Sequence, residues 1–180
     1  MKNSHFKIIG LRPTSPHIED FELCEKAQNI HKALVGTEEW LNMYAGYNVS
    51  VDYDYIQLSS SKQQLDYSLY DTDYLKITVG AIVGRNGAGK SSFVELLVRV
   101  INNLTAALLG EGYNFAKAEH LHYIDNVYAD LLMQIRNKFL IISVKGRRIS
   151  LSWYKRSANS NYRYDRYHYE KILDDRELKN

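Results

Sequence analysis

The segment from residue 75 to residue 110 constrains the fold of this 180-residue chain more than any other part of the sequence. It begins with a nearly continuous apolar run, LKITVGAIVG, which is rich in β-branched residues and typical of a strand buried on both faces. The glycine-rich stretch GRNGAGKSS follows. In SFVELLVRVINNLTAALLG, apolar residues then recur at three- and four-residue spacing up to Gly110. A buried strand, a glycine turn and a long helix in this order predict an α/β protein.

The glycine-rich stretch satisfies the pattern GxxxxGK[ST], which binds phosphate when a strand precedes it and a helix follows it. Glycines let successive backbone N–H groups surround a phosphate, and the helix N-terminus adds partial positive charge. We expect the Lys90 ammonium to reach the β and γ phosphates and the Ser91 hydroxyl to hold Mg²⁺. The predicted nucleotide-binding residues are Gly84, Arg85, Asn86, Gly87, Ala88, Gly89, Lys90, Ser91 and Ser92.

The form of this loop, with asparagine and glycine at its centre and a second serine after the lysine–serine pair, resembles the Walker A sequence of ABC-type ATPases. It is similar to the soluble branch that contains SMC and RecF proteins and many bacterial defence ATPases. The resemblance implies an α/β P-loop NTPase fold, ABC-ATPase-like, with an antiparallel β-meander subdomain. The chain would then be the N-terminal portion of an incomplete head that binds ATP and Mg²⁺.

The resemblance also implies roles for single residues and partners for the whole chain. The amides of residues 87–90, which include Ala88, would surround the phosphates, and Ser92 would support the α phosphate. In ABC-type proteins ATP lies between two heads, which implies a nucleotide-dependent homodimer or a larger assembly with an effector subunit. An aromatic side chain often stacks on adenine in that family; Tyr53, Tyr55 and Tyr70 are open alternatives for this role, and packing within a sheet is the alternative role for each.

The other catalytic motifs of the family do not occur in this sequence. It contains no LSGG-like signature, no apolar run that ends in Asp-Glu and no histidine after such a run. The fragments HYIDN, with Asp125, and KILDD, with Asp174 and Asp175, come nearest to a catalytic carboxylate, although neither follows an apolar strand. Phosphoryl transfer needs a carboxylate that helps to hold Mg²⁺ and a group that orients the attacking water. We therefore expect this chain alone to bind ATP far better than it hydrolyses it.

The absence of the other catalytic motifs from this sequence has several possible explanations. The chain is either the N-terminal part of a longer ATPase whose catalytic elements come later, or a short protein that a partner chain completes. A non-hydrolysing ATP-sensing adaptor is the alternative from a different functional class. A small-molecule kinase is a further alternative, against which the asparagine–glycine centre of the loop and its position at residue 84 both argue.

The composition bears on several other classes of protein. With 45% hydrophobic residues and two prolines, the chain is an ordered, single globular domain and not a disordered one. Cys24 is the single cysteine, so neither a disulfide framework nor a cysteine metal cluster is expected. No apolar run is long enough for a membrane-spanning helix, and the N-terminus does not have the pattern of a signal peptide, so a cytoplasmic location is expected. His120 and His122 have the spacing of a metal pair on a strand, but no further ligand completes the set.

Positive charge is concentrated near the C-terminus, because 12 of the 23 Lys and Arg residues lie in residues 136–180. In NYRYDRYHYE, part of a tail that begins at residue 155, tyrosines alternate with basic residues, a mixture that suits contact with nucleic-acid backbone and base stacking. The candidate basic surface also includes Lys145, Arg147, Arg148, Lys155 and Arg156. Nucleic acid, in DNA repair or defence, is therefore a candidate partner. A solvated strand or a docking surface for another polypeptide is the alternative.

Periodicity predicts the remaining elements. Alternation predicts strands at 6–13 and 48–58 and a three-stranded antiparallel meander over about 127–154. Helical spacing predicts helices over about 18–34, over 37–46 from the capping Thr37, and over about 116–125.

Overall fold

Eight strands of one sheet and a single helix make up the described part of the chain. The computed structural model describes residues 6–15, 39–44, 47–52, 55–60, 81–109, 122–136, 138–156 and 162–172. The strands are β1 (Phe6–Pro13), β2 (Leu41–Asn42), β3 (Tyr47–Asp52), β4 (Tyr55–Ser60), β5 (Tyr128–Ile135), β6 (Lys138–Lys145), β7 (Arg148–Arg156) and β8 (Tyr162–Ile172), and the helix is α1 (Lys90–Leu109).

The sheet has the strand order β2-β1-β5-β6-β7-β8-β4-β3, and every pairing in it is antiparallel. The predicted α/β fold with a parallel sheet is therefore wrong for the described residues. Two-residue turns such as the one between β6 and β7 can join only antiparallel neighbours, since a parallel pair needs a crossover of a dozen or more residues. The apolar run that suggested a central parallel strand lies outside the described residues up to residue 80, and residues 81–85 are not in a strand.

Strands β5, β6 and β7 form the meander, close to the positions that alternation predicts. Gly146 is the first residue of the β6–β7 turn and has a φ of +60°, which is the conformation that glycine adopts most readily in such a hairpin. A Cβ at this position would lie 2.9 Å from the Tyr128 hydroxyl, so the turn has no room for a side chain. Gly146 therefore permits the two-residue turn, and the length of this turn fixes the register of β6 and β7.

One face of the sheet is covered by α1. The helix buries Phe93, Leu96, Val100 and Ala107 on this side, at the spacing of a single helix face. These side chains belong to the same apolar cluster as residues from β1, β5, β6 and β7, namely Leu11, Ala129, Leu131, Met133, Leu140, Ile142, Val144, Ile149 and Leu151.

The opposite face of the sheet carries a second, smaller cluster, composed of Ile9, Ile56, Leu132, Phe139, Ile141 and Tyr154. A buried ion pair lies on this face at the junction of β1 and β5. The Arg12 guanidinium donates to Oδ2 of Asp130 from Nε at 3.0 Å and from Nη2 at 2.5 Å, and it also stacks over the Trp40 ring at 5.0 Å. Asp130 is only 2% exposed, so the guanidinium replaces water as the partner of Oδ2, whereas the buried Oδ1 has no hydrogen-bond partner.

Helix α1 is also joined to the sheet by a polar contact. The fully buried side chain of Asn103 donates to the carbonyl oxygen of Ile124 and accepts from the Ile124 N–H, both at 2.8 Å. Its neighbour Asn102 donates to the carbonyl oxygen of His122 at 2.8 Å. Together the two amides hold the segment before β5 against the second half of α1.

Several predicted elements differ from the structure. The helix predicted over 37–46 is wrong where it is described, because Leu41–Asn42 is a strand and the Met43 N–H donates to the Ile9 carbonyl oxygen. This pairing satisfies backbone groups on the open edge of β1, whereas an isolated short helix is marginal in water. The strand predicted over 48–58 is divided into the hairpin strands β3 and β4. Residues 122–125 are not helical, and the helix predicted over 18–34 lies outside the described residues.

Replacement of Asn103 by leucine should destabilise the fold, because both backbone groups of Ile124 lose their partner. A buried group left without a hydrogen bond costs about 1–3 kcal/mol. Urea unfolding of the parent and of Asn103→Leu measures this loss. Asn102→Leu is the comparison variant: it loses an exposed bond to the His122 carbonyl oxygen and a longer one to Asn103 Oδ1 at 3.4 Å, but it leaves both backbone groups of Ile124 paired, so its loss should be smaller. Equal losses in the two variants would contradict a special role for Asn103.

Tyr123 should give the fold a pH dependence on the alkaline side. Its hydroxyl donates to the Gly146 carbonyl oxygen, and burial, followed by the negative charge of Asp125, raises the pKa of the Tyr123 hydroxyl. The folded chain therefore keeps this proton at pH values where the unfolded chain loses it, with a pKa of about 10. The stability that Tyr123 contributes is complete below about pH 10 and falls as the pH rises above it.

Tyr123→Phe tests this effect. Near neutral pH the variant should be less stable than the parent by about 0.5–1.5 kcal/mol, because it lacks one hydrogen bond. The difference between the two free energies of unfolding should shrink as the pH rises from about 8 to about 11. A difference that stays constant over this range would show that the hydroxyl does not titrate as proposed.

Candidate phosphate-binding site

The predicted phosphate loop is an exposed turn that leads directly into α1. Residues 81–88 are solvent-exposed and Gly89 is buried where the helix begins. Gly87 and Gly89 have φ values of +78° and +81°, a region that residues with a side chain rarely adopt. A Cβ on Gly87 would have no atom within 4 Å, so the loop is open on this side. Of the two glycines that the pattern requires, Gly89 lies where the backbone needs glycine and Gly84 does not, whereas Gly87 meets the same need at a position that the pattern leaves open.

The Lys90 side chain folds back along the loop. Its ammonium donates to the carbonyl oxygens of Gly84 and Arg85, both at 2.8 Å. These two bonds link the first residues of the loop to the first residue of α1. The positive charge of the Lys90 ammonium therefore lies beside the loop, close to where a bound phosphate would be.

The N-terminus of α1 has no side-chain cap. The Phe93 N–H donates to the Gly89 carbonyl oxygen at 2.8 Å, which makes Gly89 the residue that precedes the first helical turn. Glycine has no side chain to accept from the free amides of residues 90–92, and the first turn contains no acidic residue. The partial positive charge of the helix end is therefore not neutralised from within the helix, and an anion would be stabilised there.

One of the backbone amides that the sequence predicts to bind phosphate, that of Ala88, already has a hydrogen-bond partner. The Ala88 N–H donates to the Arg85 carbonyl oxygen at 3.2 Å within the turn. In this conformation the amides of the first helical turn are better placed for an anion than the Ala88 amide. An anion that bound to Ala88 as well would have to replace this turn bond.

Ser91 and Ser92 follow Lys90 in the first turn of α1, with Ser91 exposed and Ser92 half-buried. An exposed hydroxyl beside the phosphate position suits Mg²⁺, which usually binds one or two protein ligands together with phosphate oxygens and water. Within the described ranges, no three histidine, cysteine or acidic side chains lie together as a metal site. Among the side chains of the loop, the exposed Ser91 hydroxyl is the one that could serve as a metal ligand.

The carboxylate candidates are not brought to the loop. Asp125 is half-exposed and forms an ion pair with Arg147 at 3.5 Å. It follows Ile124, which is bound to Asn103, and Asn103 lies 13 residues along α1 from Lys90, or roughly 20 Å at the rise of an α-helix. This separation is too large for Asp125 to share a metal ion with Ser91. Asp174 and Asp175 lie outside the described residues.

The other candidate residues are dispersed. His122 is exposed and lies in a connection, not in a strand, and His120 lies outside the described residues. Tyr55 begins β4, where it pairs in register with Arg163 of β8, whereas Tyr53 and Tyr70 are outside the described part of the chain. The structure therefore does not single out one tyrosine for adenine.

The predicted basic surface is split between two ends of the sheet. Lys145, Arg147 and Arg148 lie at the β6–β7 turn, and Arg147 is paired with Asp125. At the opposite ends of these strands, Lys138 of β6 pairs in register with Lys155, which pairs with Arg163 of β8. Lys155 and Arg163 belong to the basic surface that the sequence predicts, whereas Lys138 was missed, because only the strand register aligns it with residues so far along the chain. Residues 162–172 of the tyrosine-rich tail form β8, and contact of the tail with nucleic acid stays a prediction.

Comparisons with protein-family models, with curated proteins and with solved structures found no match. Among the residues that the structure describes, no helix combines the length and the apolar character that are needed to cross a bilayer.

Asp125→Asn should leave nucleotide binding unchanged, because the carboxylate is remote from the loop. Loss of its exposed pair with Arg147 should lower the free energy of unfolding by less than about 1 kcal/mol. Asp130→Asn is the contrasting variant: it removes the charge of a carboxylate that is 3% exposed and leaves the partly exposed Arg12 without its partner, so it should destabilise the fold more than Asp125→Asn does. Thermal or urea unfolding measures both values. A loss of nucleotide binding in folded Asp125→Asn would overturn the placement of this residue.

Proposed function

We propose that this chain binds ATP with Mg²⁺ through the phosphate loop at residues 84–92. The observation that carries the proposal is the combination of an uncapped helix N-terminus with the Lys90 ammonium held across the loop. Both features place positive charge at one exposed position that no described carboxylate neutralises. A triphosphate supplies the matching negative charge, and the sequence of the loop resembles that of ABC-type ATPases.

Each residue of the loop has a role in this proposal. The N–H groups of the first turn of α1 donate to phosphate oxygens, and Lys90 exchanges its bonds to Gly84 and Arg85 for bonds to the β and γ phosphates. The Ser91 hydroxyl would hold Mg²⁺, which would supply positive charge against the phosphates, and Ser92 would support the α phosphate. Gly87 and Gly89 keep the backbone open enough for the nucleotide to approach.

Hydrolysis is not expected from the described residues alone. The first turn of α1 contains no carboxylate, Glu95 in the next turn is paired with Arg99 at 2.5 Å, and Asp125 is remote. In-line attack on the γ phosphate needs a group that orients water and further charge around the phosphate. We propose that these groups come from further sequence or from another subunit in a nucleotide-dependent homodimer or an assembly with an effector.

A non-hydrolysing ATP sensor is the second candidate function. The absence of a carboxylate from the first turn of α1 favours it, because the same loop can bind a nucleotide without cleaving it. In such a protein the bound nucleotide would replace the Lys90 bonds to the loop and so change the surface around residues 81–88. Both candidates predict binding, and only turnover separates them.

Lys90→Ala should weaken ATP binding about 10- to 100-fold, because a hydrogen bond to a charged group contributes about 1.5–3 kcal/mol. Titration calorimetry with Mg²⁺ and ATP measures this change, with phosphate release followed on the same samples. Lys145→Ala is the matched control, since it removes the same charge from an exposed position at the end of β6.

The outcomes separate the candidates. Binding that depends on Lys90 and shows no phosphate release supports a sensor, or a chain that needs a second component for catalysis. Binding with sustained release by the chain alone would exclude the sensor. Equal affinities for the parent and for folded Lys90→Ala would overturn the proposed site.

A further inference from the structure

The sequence contains one Asn-Gly pair, Asn86–Gly87, and it lies at the centre of the phosphate loop. Asparagine is one of the chemically labile residues of proteins. When glycine follows it, the backbone nitrogen of the glycine can attack the side-chain carbonyl carbon of the asparagine and form a cyclic imide, because glycine has no Cβ to obstruct the ring. Both residues are solvent-exposed, so water and base reach the reacting atoms.

The turn leaves the groups that take part in this reaction without hydrogen bonds. Asn86 and Gly87 are its two central residues, and its backbone hydrogen bond joins the Ala88 N–H to the Arg85 carbonyl oxygen at 3.2 Å. Neither the Gly87 N–H nor the Asn86 side-chain amide forms a hydrogen bond with the part of the chain that the structure describes. A hydrogen bond to either group would have to break before the ring forms, so this turn adds no barrier of that kind.

Gly87 also has the space that ring closure needs. Its φ is +78°, and a Cβ built on it would meet no atom within 4 Å. No packed neighbour therefore holds the peptide group between Asn86 and Gly87 on this side. The rotation that brings the Asn86 amide to the Gly87 nitrogen is thus sterically open there.

Two other asparagines of the described chain show what prevents the reaction. Asn126 also has a positive φ, of 60°, but the next residue is Val127, which is β-branched and fully buried. The buried Asn103 uses both ends of its amide in the bonds to Ile124. Exposure, a following glycine and an unbonded amide are combined at Asn86 and at neither of these positions.

We propose that Asn86 is a site of spontaneous deamidation and that its product weakens the binding of anions at the phosphate loop, an effect that rests on the proposed function. The Gly87 nitrogen loses its proton and bonds to Asn86 Cγ, the bond from Cγ to the side-chain nitrogen breaks, and ammonia leaves. Water then opens the ring at either carbonyl carbon and yields aspartate or isoaspartate. The reaction consumes one water and needs no oxidant or reductant.

Either product changes the electrostatics of the loop. It places a carboxylate at residue 86, beside Arg85, whose carbonyl oxygen accepts a hydrogen bond from the Lys90 ammonium. A negative charge there attracts the ammonium and repels a phosphate. Isoaspartate also adds a methylene group to the backbone, which lengthens the turn that the bond from Ala88 to Arg85 closes. The modified loop should therefore bind a phosphate group more weakly.

Peptide mapping by mass spectrometry tests the modification without a nucleotide. The parent chain is incubated at mildly alkaline pH, where the amide nitrogen loses its proton more readily, and the conversion of each asparagine to an acid is followed with time. Conversion at Asn86 should be many-fold faster than at Asn126, the comparison site in the same digest. Asn86→Gln should abolish the conversion at this position, because the longer side chain would have to form a larger ring, which closes more slowly.

Titration calorimetry with Mg²⁺ and ATP tests the effect on the loop. Asn86→Asp should bind ATP at least about tenfold more weakly than the parent, because it carries the charge of the product in a side chain of the same shape. Asn126→Asp is the matched control: it makes the same change beside Asp125, which is remote from the loop, and should leave binding unchanged. Circular dichroism establishes that each variant is folded.

Fast conversion at Asn86, together with weaker binding in Asn86→Asp and not in Asn126→Asp, supports the proposal. Conversion at Asn86 that is no faster than at Asn126 would overturn it, and so would equal affinities of the parent and Asn86→Asp for ATP. A parent chain that binds no ATP would overturn the proposed function and the effect on the loop with it, whereas the rate of conversion separately decides whether Asn86 is the modification site.

Discussion

The contact between α1 and strands β5 and β6 is the constraint on which the rest of this structure depends. Phe93, Leu96 and Val100 bury one side of the helix on the sheet, and Asn103 fixes its position by binding both backbone groups of Ile124. The apolar contacts supply most of the stabilisation, because they remove a large area from water, whereas the amide selects one position of the helix along the sheet. The position of the loop relative to the sheet follows from this docking.

The electrostatics of the loop follow from the start of that helix. Gly89 precedes the first turn and cannot cap it, so the free amides of α1 remain available to an anion. Lys90 adds a full positive charge and is held by two carbonyl oxygens of the loop itself. The Lys90 ammonium and the positive end of the helix thus lie together at the loop, and an anion that bound there would find them already ordered.

The sheet shows why a local apolar pattern cannot predict topology. A continuous apolar run is typical of a strand with both faces covered, and parallel sheets are the commonest place for such strands. Here β5 and β6 are buried on both faces within an antiparallel sheet, because α1 covers one face and the cluster around Phe139 covers the other. The burial pattern of a strand therefore does not distinguish a parallel from an antiparallel sheet. The lengths of the connections between strands do distinguish them, because only antiparallel neighbours can be joined by a two-residue turn.

The sequence by itself determined what depends on neighbours within a few residues. The glycines of the loop, the extent of α1 and the strands of the meander all follow from local propensity and spacing, and the structure has them at the expected positions. Only the tertiary structure decided the Arg12–Asp130 pair, the position of Asn103 and the separation of Asp125 from Lys90. These features join residues that are distant along the chain, and the alternation of a strand does not specify its neighbour. For the same reason the exposed side of α1, which carries Val94, Val98 and Ile101, is distinguished from the buried side only once the sheet is in place.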